Sequence, residues 1–180
     1  MRVIDHIRDV FSRKAIEKIL RKQKREKHYP DFRVVKSVLI LFESDLNEQN
    51  NEIIHIVKEL KDEGKQVVAW GFVNKKENGT LDSPDFRILS KKDLKTLGIP
   101  SAKTLFEYRN IECELLIDLS STNCTPVNYL LAISKAPFKV SRKKSFKGIS
   151  DLMVDTNSSD DIDYLYRQIL FYLNSIQAKN

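Results

Sequence analysis

Unbroken apolar runs occur at three places along the chain, each about as long as a strand. Val38 to Phe42 lies within KSVLILF, QVVAWGFV spans 66–73, and Leu115, Leu116, Ile117 and Leu119 lie within ELLIDL. Runs this short suit strands buried on both faces of a parallel sheet better than helices. Weaker runs at 86–89, 137–140 and 152–154 predict three more strands. Between the runs, apolar residues recur at steps of three and four. Ile53, Ile54, Val57 and Leu60 predict a helix from about Asn47 to Glu63, stopped by Gly64. Val127, Leu130, Leu131 and Ile133 predict another from Pro126 to Lys135, with Thr125 as N-cap and Pro126 at the first helical position. A last helix begins near Ser159. Asp160, Asp161 and Asp163 fall in its first turn, where the helix dipole favours anions, and Ile162, Leu165, Tyr166, Ile169, Leu170 and Leu173 face inward.

The first segment reads differently. From Val3 to Lys27 the apolar positions also follow helical spacing, through Ile4, Ile7, Phe11, Ile16, Ile19 and Leu20. The other faces are crowded with Lys and Arg as far as Tyr29 and Pro30. Strands alternating with helices predict an α/β fold, Rossmann-like or flavodoxin-like, with a mostly parallel sheet of about five or six strands and helices on both faces. A basic amphipathic helix at 1–30 precedes a single α/β domain at 31–180. The stretch 90–108 is only weakly periodic and ends in a short helical segment at Tyr108. Asn78-Gly79 marks a turn in the polar connection after the second strand.

Charge sharpens the division. Residues 1–36 hold twelve Lys or Arg against five Asp or Glu, a net +7 of the chain's +6, leaving −1 for the rest. At 180 residues the chain suits one domain with a sizeable core. The longest apolar run is far below the roughly 20 residues of a membrane span. Arg2, Asp5, Arg8 and Asp9 stand where a signal peptide needs an apolar centre, so a cytoplasmic location is expected. Cys113 and Cys124 lack zinc or CxxC spacing and read as reduced, structural thiols.

Several chemistries are excluded. The five glycines are never two or three apart, so neither a dinucleotide fingerprint nor a phosphate-binding P-loop exists. His6, His28 and His55 are scattered, and no metal site, cofactor or catalytic group is expected. Two kinds of candidate site remain. Strand-end loops should converge on one sheet edge, where open α/β sheets bind ligands. They bring Glu43 and Ser44 towards Asp118, Ser120, Ser121, Thr122 and Asn123, with Asp118 as a polar anchor for a small ligand such as a nucleotide or nucleotide sugar. Such residues also close strands and cap helices without any ligand. The second kind is cationic. Lys22, Lys24, Arg25 and Lys27 on the first helix, and Arg142, Lys143 and Lys144 after the fifth strand, suit a phosphate-bearing partner: RNA, DNA or an anionic membrane surface.

The run ELLIDLSSTNCTPVNYLLAISKAPFKVSRK, with the strand near Val38 and the terminal helix, resembles an uncharacterised family of short bacterial proteins known only as a domain of unknown function. That resemblance implies a cytoplasmic protein and supplies no activity. More distantly, ELLIDL, a helix and SKAPFKVSRK are similar to the N-terminal half of heptosyltransferase-type glycosyltransferases. Those enzymes hold their donor largely on a second Rossmann-like domain, for which this chain has no residues left, so no catalytic residue follows. The expected function is a binding or adaptor domain that docks on an anionic partner through its first helix, with a protein partner also open. The alternative is a small-ligand enzyme or sensor working at the strand-end loops.

Overall fold

The computed structural model describes residues 2–44, 48–74, 86–156 and 159–175. In chain order the elements are α1 (Arg2–Lys22), β1 (Ser37–Glu43), α2 (Glu48–Asp62), β2 (Gln66–Phe72), β3 (Arg87–Leu89), α3 (Ala102–Arg109), β4 (Leu115–Asp118), α4 (Thr125–Ile133), β5 (Phe138–Arg142), β6 (Leu152–Val154) and α5 (Ile162–Ser175). The six strands form one sheet in the order β3-β2-β1-β4-β5-β6, every neighbouring pair parallel. This is the Rossmann order, which reverses direction between β1 and β4.

Two apolar cores follow from the period-two alternation of strand side chains. Val38, Ile40 and Phe42 of β1 face one side with Leu115 and Ile117 of β4, and there they meet Ile53, Ile56, Val57 and Leu60 of α2 and Leu165, Ile169 and Leu173 of α5. Leu39, Leu41 and Leu116 face the other side, against Ile16 of α1, Tyr108 of α3 and Val127, Leu130 and Leu131 of α4. Helices therefore cover both faces. Gly71 allows the closest strand packing: a Cβ there would lie 2.6 Å from the Phe42 ring and 2.7 Å from Ile88 Cδ1. Gly64, at φ +81°, ends α2 in the left-handed region that glycine tolerates.

Three local expectations change. The first helix stops at Lys22, short of Lys27, because the residues beyond it find partners outside any helix. Gln23 Nε2 donates to Ser134 O at 2.7 Å, Arg25 Nη1 donates to Ala136 O and Pro137 O, and the His28 N–H donates to Pro137 O at 3.2 Å. Residues 23–30 thus form a strap along the start of β5. Ile16, Ile19 and Leu20 hold α1 itself against α4, within the second core. At α4 the N-cap is Cys124, without a side-chain cap, and Thr125 is already helical. At α5, Asp160 and Asp161 precede the helix. Asp161 Oδ1 accepts the Tyr164 N–H at 2.8 Å, the bond of an N-cap. The expected Asn78-Gly79 turn, Asn47 at the start of the second helix and the loop residues Asp45 and Asn157 lie outside the described residues. Among the described residues no helix is long and apolar enough to cross a membrane.

Candidate functional site

The carboxyl ends of β1 and β4 carry the strand-end candidates. Register places Asp118 beside Leu41, and alternation turns it to the same face as Leu116. Asp118 is completely buried. Its Oδ2 lies 3.1 Å from Nζ of Lys144, a lysine with 2% of its side chain exposed. Its Oδ1 accepts the Ser120 N–H at 2.9 Å and the Ser120 hydroxyl at 2.6 Å. Lys144 Nζ in turn donates to Ser120 Oγ at 2.6 Å and to Thr122 O at 2.9 Å. Ser120 has the neighbours of an activated nucleophile. It is also fully buried and does not line the crevice at this edge, so its place is inside the loop network.

The rest of the ring is tied together in the same way. Glu43 accepts hydrogen bonds from the Ser121 hydroxyl at 2.9 Å and from the Thr122 N–H and hydroxyl. Asn123 Oδ1 accepts the Ser145 N–H at 3.4 Å, and the Ser44 N–H donates to Phe72 O at 2.9 Å. A crevice of about 560 Å³ remains at this edge, reached by Glu43, Ser44 and Thr122 but not by Asp118 or Ser120. Lys91, Lys95 and Thr125 also line it. Sequence reasoning missed both lysines, and only their place just after β3 could have pointed to them. The second basic cluster is answered by acids from distant positions. Arg142 Nη1 lies 3.0 Å from Asp160 Oδ1, Lys143 Nζ lies 3.0 Å from Asp155 Oδ2, and Lys144 faces Asp118.

The opposite edge of the sheet, at the amino ends of the strands, is built from three helix carboxyl ends and the strap. Arg25 is part of the fold here: its side chain is 6% exposed and its Nη2 makes 2.7 Å bonds to both carboxylate oxygens of Asp151. Lys27 reaches Asp151 Oδ1 at 3.0 Å from the solvent side. Burial pushes the Asp151 carboxyl up, but the hydrogen bonds from Arg25, Lys27 and the Lys139 N–H outweigh it and hold the group below its usual range. Beside this pair opens a cleft of about 870 Å³ between α1, α3 and α4. Lys18, Lys22, Lys24, Arg109 and Lys135 surround it with Glu112 as the lone carboxylate, and Ile19, Leu39, Ile111 and Ile133 supply apolar wall. Sequence reasoning placed Lys18, Lys22 and Lys24 on the first helix and Lys135 in the separate second basic cluster, and it missed Arg109; these elements meet only in the folded chain.

Residues 8–176 match the model of a family of unknown function, DUF6913. The chain belongs to that family. No curated protein and no solved structure matches it, so the distant likeness to heptosyltransferase-type enzymes gains no support.

In this DUF6913 member the buried groups look structural. Burial pushes the thiols of Cys113 and Cys124 up to about 12, far from the thiolate a reactive cysteine needs. Lys139, on β5, donates to Leu131 O at 2.8 Å at the carboxyl end of α4. Burial, reinforced by the nearby Arg25 charge, pulls its pKa down to about 7. Among the described residues no three His, Cys, Asp or Glu side chains converge as a metal site.

The cleft cations need a different explanation. Cations at helix carboxyl ends offset the dipole, and three such ends carry roughly −1.5 in total. The five cations exceed the lone Glu112 by four formal charges, and among the described residues none of the five makes an ion pair. Lys139 already serves the end of α4. Dipole compensation accounts for less than half of that charge.

Proposed function

We propose that this chain is a cytoplasmic, non-catalytic binding domain that docks on a phosphate-bearing partner through the carboxyl-terminal half of α1 and the cleft beside it. The observation behind this reading is the positive surplus around the cleft, where among the described residues Lys18, Lys22, Lys24, Arg109 and Lys135 make no ion pair. Nucleic acid suits the surface better than a membrane does. An interfacial helix must lay its apolar face into the lipid, and the Ile16, Ile19 and Leu20 stripe of α1 is engaged on α4. The strand-end alternative keeps the crevice near Lys91 and Lys95 for a small ligand, with Glu43, Ser44 and Thr122 on its wall. Asp118 would then support the loop from behind.

Retention from a lysate tests the reading. The chain should be released from its partner by nuclease, and it should not float with anionic liposomes. Flotation that depends on anionic lipid would move the partner to the membrane. A thermal-shift screen tests the alternative, since nucleotides should raise the melting temperature and Lys91→Ala should remove the gain.

A further inference from the structure

We infer that the cleft between α1, α3 and α4 is a binding site for a nucleoside phosphate, either free or as the exposed unit of a single strand. This rests on the reading of the surrounding surface as phosphate-binding and specifies what the cleft adds to it. A volume of about 870 Å³ is large for a lone anion and falls among the sizes of small-molecule sites. The lysines are exposed at the rim, on the last two turns of α1, on the strap and at the second residue past α4. That arrangement suits a phosphoryl group held at the mouth.

The interior is neither purely apolar nor purely charged. Ile19, Ile111 and Ile133, each half-buried, offer a surface for a flat ring. Tyr108, a residue 2% exposed, also lines the cleft, and among the described residues its buried hydroxyl has no well-formed hydrogen bond, with Ser134 as its nearest polar neighbour. An unmatched buried hydroxyl costs free energy that a ligand donor or acceptor restores. Glu112 would repel a second phosphate but can accept from a ribose hydroxyl or a base N–H. A fatty chain would satisfy neither group. A nucleoside offers partners to both, and single-strand recognition commonly joins a basic rim to a pocket for a splayed base.

Calorimetry on the full chain tests this with adenosine and uridine monophosphates, inorganic phosphate, a lysophospholipid, a short single-stranded RNA and heparin. The nucleotides should bind more tightly than inorganic phosphate. Ile111→Trp, which fills the cleft without altering charge, should weaken them at least tenfold and leave heparin binding unchanged. Tyr108→Phe, which keeps the ring, should weaken them about fivefold and remains informative if Ile111→Trp fails to fold. A strand that binds tenfold better than the free nucleotide, and displaces it, identifies the strand as the source; equal affinity identifies the free nucleotide. Heparin binding without nucleotide binding overturns the inference and spares the docking reading. Nucleotide binding indifferent to both variants, or tighter binding of the lysophospholipid, also overturns it. Failure of heparin and nucleotides alike defeats both.

Discussion

The two edges of the sheet handle charge in opposite ways. At the carboxyl edge each candidate has an internal answer: Asp118 faces Lys144, Glu43 holds the Ser121 and Thr122 hydroxyls, and Arg142 and Lys143 face Asp160 and Asp155. At the amino edge Arg25 and Lys27 close on Asp151, and among the described residues Lys18, Lys22, Lys24 and Lys135 make no ion pair. The carboxyl edge is where an open α/β sheet ordinarily binds ligands. In this chain much of that edge's polar chemistry is spent on its own loops, while the accessible surplus charge lies at the other end. Position in a fold family therefore predicts where a crevice forms but not which charges remain available in it.

The largest effect should come from the buried pairs. Lys144→Ala leaves the Asp118 carboxylate without its counter-ion, and Arg25→Ala leaves Asp151 with only the solvent-side Lys27. Each should cost about 3–5 kcal/mol in urea unfolding, with Asp118→Asn/Lys144→Met recovering part of the loss. A cost below about 1 kcal/mol for Lys144→Ala would mean that the carboxyl edge is not internally neutralised. Leu116→Ala comes next, at about 2–5 kcal/mol, because Leu116 is wholly buried in the central strand between the two edges.

A smaller effect follows pH. Lys139 has a folded pKa near 7 against 10.5 in an ordinary setting. Between those values the unfolded chain binds a proton that the folded chain does not, so this group makes stability rise with pH across the window. Above about 9 the two thiols oppose it, since in the folded state they keep their protons to about 12. Wild type should therefore gain stability over Lys139→Met between pH 7 and 9, by up to a few kcal/mol. A flat difference would place Lys139 in contact with solvent.

Much of the fold was legible in sequence because its signals are local. The unbroken apolar runs in KSVLILF and ELLIDL predicted strands buried on both faces, and the three-four spacing located the buried stripes of α4 and α5; in α2 it held for Ile53, Val57 and Leu60, but Ile54 is exposed and Ile56 is buried in its place. The end of α1 was hidden, because nothing between Lys22 and Tyr29 breaks a helix. What ends it is tertiary: hydrogen bonds from Gln23 and Arg25 to carbonyls more than a hundred residues away. The same distance hid the site chemistry. Asp118 read as an accessible anchor because its neutralising lysine lies 26 residues downstream, in a stretch that itself read as free positive charge. Arg109 and Tyr108 belong to a weakly periodic segment, and no local pattern tied them to α1.

The smallest effect on stability and the largest on binding should come from reversing Lys18, Lys22, Lys24 and Lys135 to Glu, which leaves Arg25 and Lys27 in place. All four residues are exposed, so the reversal should change unfolding free energy by no more than about 1 kcal/mol. The decisive measurement is the affinity of wild type and reversed protein for single-stranded RNA across a salt series. Four phosphates neutralised at the cleft predict that log K falls with log salt at a slope of about −3 for wild type, and that the reversed protein shows no binding at any salt. Equal affinity of the two proteins, or binding indifferent to salt, would contradict the assignment of the amino edge as the docking surface.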